Sequence, residues 1–241
     1  MWLSVFKKEI RGFFSNLTGY LVIGIFLLAA GLLLWVIPGH FNIIESGIAE
    51  MSGLFALAPW LFLFLAPALT MKSIAEEKQT GTWELMLTRP ANIWQIVTAK
   101  FAACWCLLIV ALLPSLIYFI SLNTIAEPFG NVDTGVFAGS FFGLVMLGGV
   151  YVSVGIWASS NTRNQVLSFM MALAVCFFLF YGFAILAGFF PSANISWLIE
   201  NAGIQEHYRA VSRGVIDSRD IAYFFFLMML FIFLTTKKLK K

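Results

Sequence analysis

The chain has 241 residues, of which 61% are hydrophobic and 11% charged, with a formal net charge of +3. That composition excludes an ordinary soluble domain. The small positive balance describes how loops are distributed across a membrane and gives no case for nucleic-acid binding.

A bilayer-spanning helix needs about 20 mostly apolar residues. Six segments qualify, at about 17–37, 54–71, 101–120, 136–159, 166–190 and 221–236, and none of them holds Asp, Glu, Lys or Arg. The expected fold is an all-α integral membrane protein, one transmembrane domain over 1–241, with six transmembrane helices. Basic residues in short loops stay cytoplasmic. With the N-terminus inside, twelve of the fifteen Lys and Arg fall on that side, so both termini are predicted to be cytoplasmic.

Residues 1–16 place Trp2, Phe6, Ile10 and Phe13 on one helical face and Ser4, Lys7, Lys8 and Arg11 on the other. This is the pattern of an amphipathic elbow helix lying in the membrane interface. No cleaved signal peptide is expected, because the charges follow a first apolar stretch and the next is long enough to span. Pro59 and Pro67 in the second span and Pro114 in the third predict kinks, since each proline leaves a carbonyl unpaired.

The segment 71–100 is the longest polar interval among the early spans and carries Lys72, Glu76, Glu77, Lys78, Glu84, Arg89 and Lys100. Gly81 interrupts a first amphipathic run, and Thr82 is placed to cap a short helix whose Trp83, Met86 and Leu87 share one face. Arg89 precedes Pro90, which ends that helix. Asn92, with Gln95 three residues on, reads as a capping-box variant opening the next long helix. The apolar face of the short helix either folds onto the membrane surface and its own bundle or seats in a groove of a partner protein.

The fourth span begins with Gly135, Gly139 and Gly143 at four-residue spacing, continued by Gly148 and Gly149. Such ridges let helix backbones approach closely, within one bundle or between subunits. The external segment 191–220 contains Trp197, Leu198, Ile204, Tyr208 and Val211, predicting one or two short half-buried helices. Gly214 would end the second, and Asp217 or Ser218 would cap the last span. His40 and His207 read as surface residues rather than ligands. Arg209, Arg213, Asp217, Arg219 and Asp220 are expected to pair among themselves at the surface. Lys237 to Lys241 is read as an anchor to anionic membrane lipid.

No phosphate-binding loop, zinc-protease helix or nucleophile elbow occurs, so no cofactor, metal or catalytic site is expected in this chain. Cys104, Cys106 and Cys176 read as small apolar residues. An intramembrane enzyme built on Glu76 and Glu77 would need histidines facing that pair, and both histidines are predicted to lie across the membrane. A proton-coupled carrier is disfavoured by spans without ionisable groups.

The run from Glu76 to Pro90, with Glu77-Lys78, Gly81-Thr82, Glu84 and the apolar Leu85-Met86-Leu87, resembles the segment after the second span of ABC-2 type transporter permeases. The elbow, six spans and the pattern His207-Tyr208, Arg213-Gly214 and Asp217 to Asp220 extend the resemblance over the chain. Within the family it is most similar to the gliding-motility-associated, GldF-like permeases. The resemblance implies an ABC-2 (type V exporter-like) permease fold in a bacterial inner membrane. It implies an ABC ATPase partner (GldA-like) that carries ATP and Mg, and a second permease copy or a sister membrane subunit (GldG-like). On this resemblance 71–100 is the ATPase-coupling region: Trp83, Met86 and Leu87 fill the ATPase groove, and Glu77 and Glu84 offer charge to its rim. The external segment with Trp197, His207 and Tyr208 would form re-entrant helices. A membrane subunit of a motility or secretion machine that moves no solute is the alternative.

Overall fold

The protein, seen as a computed structural model, is described over residues 1–46, 50–87, 92–125, 133–190, 192–214 and 217–240. Those residues form helices and turns without strands. Among the described residues six helices are long and apolar enough to cross a membrane. The elbow α1 (Trp2–Ser15) ends at extended Asn16 and leads into α2 (Leu17–Gly31), which continues as a π-helical stretch over Leu32–Val36. A short α3 (Ile43–Ser46) precedes α4 (Ser52–Thr70), which runs through both Pro59 and Pro67 without a break.

After α4 come α5 (Ala75–Gln79) and α6 (Thr82–Leu87), separated by Gly81 at φ 73. Asn92 opens α7 (Ile93–Leu112) by accepting from the Trp94 amide at 3.2 Å. Thus α7 begins well before the apolar segment, where the Asn92 cap places its start, and it includes Lys100, the last charge of the polar interval. Pro114 sits in a 3₁₀ turn that joins α7 to α8 (Leu116–Ile125). Next is α9 (Thr134–Asn161), capped by Asp133, and then α10 (Gln165–Phe177), capped by Asn164. A second π-helical stretch, Phe178–Gly182, leads to α11 (Phe183–Ala187). The segment 191–220 holds two helices, α12 (Ala193–Asn201) and α13 (Ile204–Ser212), and Asp217 caps α14 (Ser218–Leu239) through the Arg219 amide. The predicted end of the α6 helix at Arg89-Pro90 lies outside the described residues.

The bundle is built around α9. Inside the molecule 78% of its apolar window is buried, against 28% for α2 and 22% for α10, so α9 faces protein while those two face outward. The small residues of α9 explain this position. A Cβ at Gly148 would meet Leu108 of α7 at 2.7 Å, and one at Gly149 would meet Met228 of α14 at 2.6 Å. At Gly155 it would fall on the Thr70 hydroxyl of α4. Side chains of three neighbouring helices therefore reach the α9 backbone only because side chains are missing there. Nearer the start of α9, Gly139 and Gly143 face α13, with Gly139 opposite Gly214, whose φ of 81 few other residues adopt. Gly135 meets only its own cap, Asp133.

Two ends of the bundle result. One carries α1, α5, α6 and the last turn of α14; the other carries α3, α12 and α13.

Candidate functional site

The α1 end is organised by a buried ion cluster. Ile96, Val97, Ala103 and Cys104 are all buried, so the inward face of α7 also takes in Lys100, whose side chain is 1% exposed. Its ammonium donates to Glu9 Oε1 of α1 at 2.6 Å and to the Ser73 carbonyl, in the turn after α4, at 2.8 Å. It also lies 3.0 Å from Glu77 Oε1 of α5. Lys8 of α1 donates to the same Glu77 oxygen at 3.1 Å. Two cations and two carboxylates thus balance, as buried charge requires. Trp2 Nε1 adds a bond from α1 to Thr98 of α7 at 3.2 Å.

The position of α5 is fixed from α9. Ser159 Oγ accepts from the Ile74 and Ala75 amides at 3.0 and 2.9 Å, satisfying donors that the start of a helix leaves open. It also donates to the Met71 carbonyl at 3.1 Å. Lys78 Nζ donates to the Ser160 carbonyl, closing the same junction.

Against this geometry three expectations change. Glu77 is bound by Lys100 and Lys8, so its carboxylate is not offered to a partner's rim; the exposed acids here are Glu76 and Glu84. Trp83 is 7% exposed and belongs to the chain's own core, where it holds α6 to the bundle rather than standing out as an anchor. The Thr82 hydroxyl meets the Thr80 hydroxyl at 2.9 Å and the Glu77 carbonyl at 3.4 Å, and Thr82 is the first residue of α6 rather than the residue before it. Met86 and Leu87 belong to α6, but their side chains, like Arg89, lie outside what is described.

The α13 end holds a cavity of about 790 Å³ between α4, α9, the π-helical stretch and α13. Seven of its nineteen lining residues are aromatic. Trp60 and Tyr181 face each other with ring centroids 4.6 Å apart, and Phe55 packs on Phe137 at 5.6 Å. Glu50, Asp133, Arg209 and Arg213 supply charge around it. The helix α13 is fastened over the bundle by Tyr208, whose hydroxyl donates to the Phe55 carbonyl at 2.7 Å, and by Ser140 Oγ, which donates to the Ser212 carbonyl at 2.9 Å. Burial raises the Tyr208 phenol above the usual tyrosine range, which keeps it a donor.

His207 is not a free surface residue. Nδ1 lies 2.6 Å from Asp220 Oδ1 and Nε2 3.0 Å from the Asn201 carbonyl, while the ring stacks on Tyr223 at 3.9 Å. Arg209 pairs with Glu206 one turn earlier, so the expected mutual pairing among Arg209, Arg213, Asp217, Arg219 and Asp220 does not form. Within α12, Trp197 and Leu198 are each 65% exposed, whereas Ile204, Tyr208 and Val211 of α13 are buried; only the second helix is embedded. Among the described residues no group of three His, Cys, Asp or Glu could hold a metal ion.

Residues 41–236, well over half of the chain, match the family model described as ABC-2 family transporter protein. A search of curated proteins gave no match.

Proposed function

The chain belongs to the ABC-2 family of transporter proteins, and from that premise we propose that it is the permease subunit of an ATP-driven transporter. Permeases of this family generally partner with an ABC ATPase. In this reading the ATPase docks on the α1 end, which the charge asymmetry assigns to the cytoplasm, and brings its own ATP and Mg. The observation that supports it best is the three-way linkage of α5: to α9 through Ser159, and to α7 and α1 through Lys100 and Glu77. A displacement of α5 and α6 by a closing ATPase pair is thereby delivered to the central helix and to the elbow together. Glu76 and Glu84 present the docking charge, and Trp83 with Glu77 keeps the lever stiff.

The aromatic cavity under α13 is then the part of the path open toward the far side, and its walls suit a substrate with an apolar body. The His207 to Asp220 pattern favours a gliding-motility system in a bacterial inner membrane, with a GldA-like ATPase and either a second copy or a GldG-like sister subunit.

The test is gentle detergent extraction from native membranes, mass spectrometry of what stays bound, and an ATPase assay. Wild type should retain an ATP-binding subunit and activity, and Glu84→Gln should lower both several-fold while the chain stays monodisperse. Recovery of the chain with no ATPase bound overturns the permease reading.

A further inference from the structure

A second cavity at the α1 end, about 230 Å³, lies between α5, α6, the turn joining α9 to α10, and the last turn of α14. Its wall carries cations from three separate elements, Lys78, Arg163 and Lys238, against one acid, Glu84. The neighbouring Lys100 cluster is balanced, two cations to two carboxylates. This one is not. Among the described residues none of its three cations has a carboxylate within ion-pair distance. Lys78 donates to the Ser160 carbonyl instead, and the positive charges of Lys238 and Arg163 both act on it through space. Like charges converging on a partly enclosed space repel, and an anion seated between them reverses the sign of that energy.

The chemistry of the anion follows from the donors. Two ammonium groups and a guanidinium reach the cavity from different directions, which suits the several oxygens of a phosphate group better than one planar carboxylate. The position points the same way. The side of α14 bearing Phe226, Met229 and Phe233 is exposed along its length, so this helix faces lipid and Lys238 stands at its end, at headgroup depth.

We propose that this cavity binds a phosphate-bearing anion, from a phospholipid headgroup or from solution, which bridges α5, the turn between α9 and α10, and α14. The proposal does not depend on the transport reading, since it concerns the chain alone.

The experiment is native mass spectrometry of the purified full chain with phosphatidic acid, phosphatidylcholine and inorganic phosphate, each alone and in competition. Wild type should hold phosphatidic acid or inorganic phosphate and not phosphatidylcholine. Arg163→Gln with Lys238→Gln should lower that adduct about tenfold, whereas Lys72→Gln, exposed at the same end but off the cavity wall, should leave it unchanged. Displacement of the lipid by millimolar inorganic phosphate assigns the site to the phosphate group itself; persistence of the lipid assigns it to the headgroup in its membrane setting. An equal loss in Lys72→Gln would mean diffuse surface charge and overturns the proposal. So does the absence of any phosphate or phosphatidic acid adduct, which would leave the three cations as docking charge for a protein partner.

Discussion

Lys100 and Glu9, 91 residues apart in sequence, meet at 2.6 Å in a place where the lysine is almost wholly buried. A lysine there is tolerable only because Glu9, Glu77 and the Ser73 carbonyl surround it. Lys100→Met should therefore lower stability by about 3–5 kcal/mol, because it leaves Glu9 without its cation and Glu77 with only the exposed Lys8. Thermal unfolding of the purified protein measures this. Adding Glu9→Gln and Glu77→Gln should restore much of the loss, and no recovery would show that the cluster does not act as a unit.

Trp83 decides between a core residue and a partner anchor. At 7% exposure its truncation to Ala should cost the isolated chain about 3–5 kcal/mol. The check is a melting curve without any ATPase present. An unchanged curve together with weaker ATPase binding would return Trp83 to the anchor role.

Packing at the centre of the bundle is tested at Gly155. Gly155→Ala would drive a methyl group onto the Thr70 hydroxyl and should destabilise by about 1–3 kcal/mol. Thr70→Ala should relieve part of that cost. Gly24→Ala in α2, where nothing lies within 4 Å, serves as the neutral control.

Removing the Tyr208 hydroxyl takes away the bond to the Phe55 carbonyl and leaves a buried acceptor open. Tyr208→Phe should cost about 1 kcal/mol and loosen α13, seen as faster amide exchange in Ile204–Ser212 than in α9. Equal exchange in both forms would mean that the Ser140 to Ser212 bond and the Gly139 and Gly214 contact suffice to hold the helix.

Orientation is a separate matter of side. A cysteine at exposed Gln79 in a background without Cys104, Cys106 and Cys176 should react with an impermeant thiol reagent only from the cytoplasm. Reaction from the outside alone inverts the topology and removes the ATPase from the α1 end.

By itself the sequence determined what rests on local composition. Six apolar runs of about 20 residues had to become helices, because a lone span in lipid must satisfy its own backbone groups. The elbow pattern of Trp2, Phe6 and Ile10, the break at Gly81 and the caps at Asn92 and Asp217 are likewise fixed within a few residues, and each is found. The apolar glycine spacing of α9 was equally visible, but spacing does not name a partner. Only the tertiary structure set Gly139 and Gly143 against α13 and Gly155 against Thr70.

Charge was where sequence reading went furthest astray. Hydropathy assigns a lysine to water, so Lys100 read as a charge of the water-side interval 71–100; its helical phase with buried Ile96, Val97 and Cys104 was the one local sign otherwise. Whether it can be buried depends on Glu9 and Glu77, which no local window contains. The same holds for Ser159, an unremarked serine that caps α5 from another helix, and for Trp83, whose apolar face was legible while the surface it covers was not. Local sequence sets which segments are helices and which faces are apolar. Long-range packing decides which polar groups find each other, because the free energy of a buried charge belongs to its partners and not to the residue.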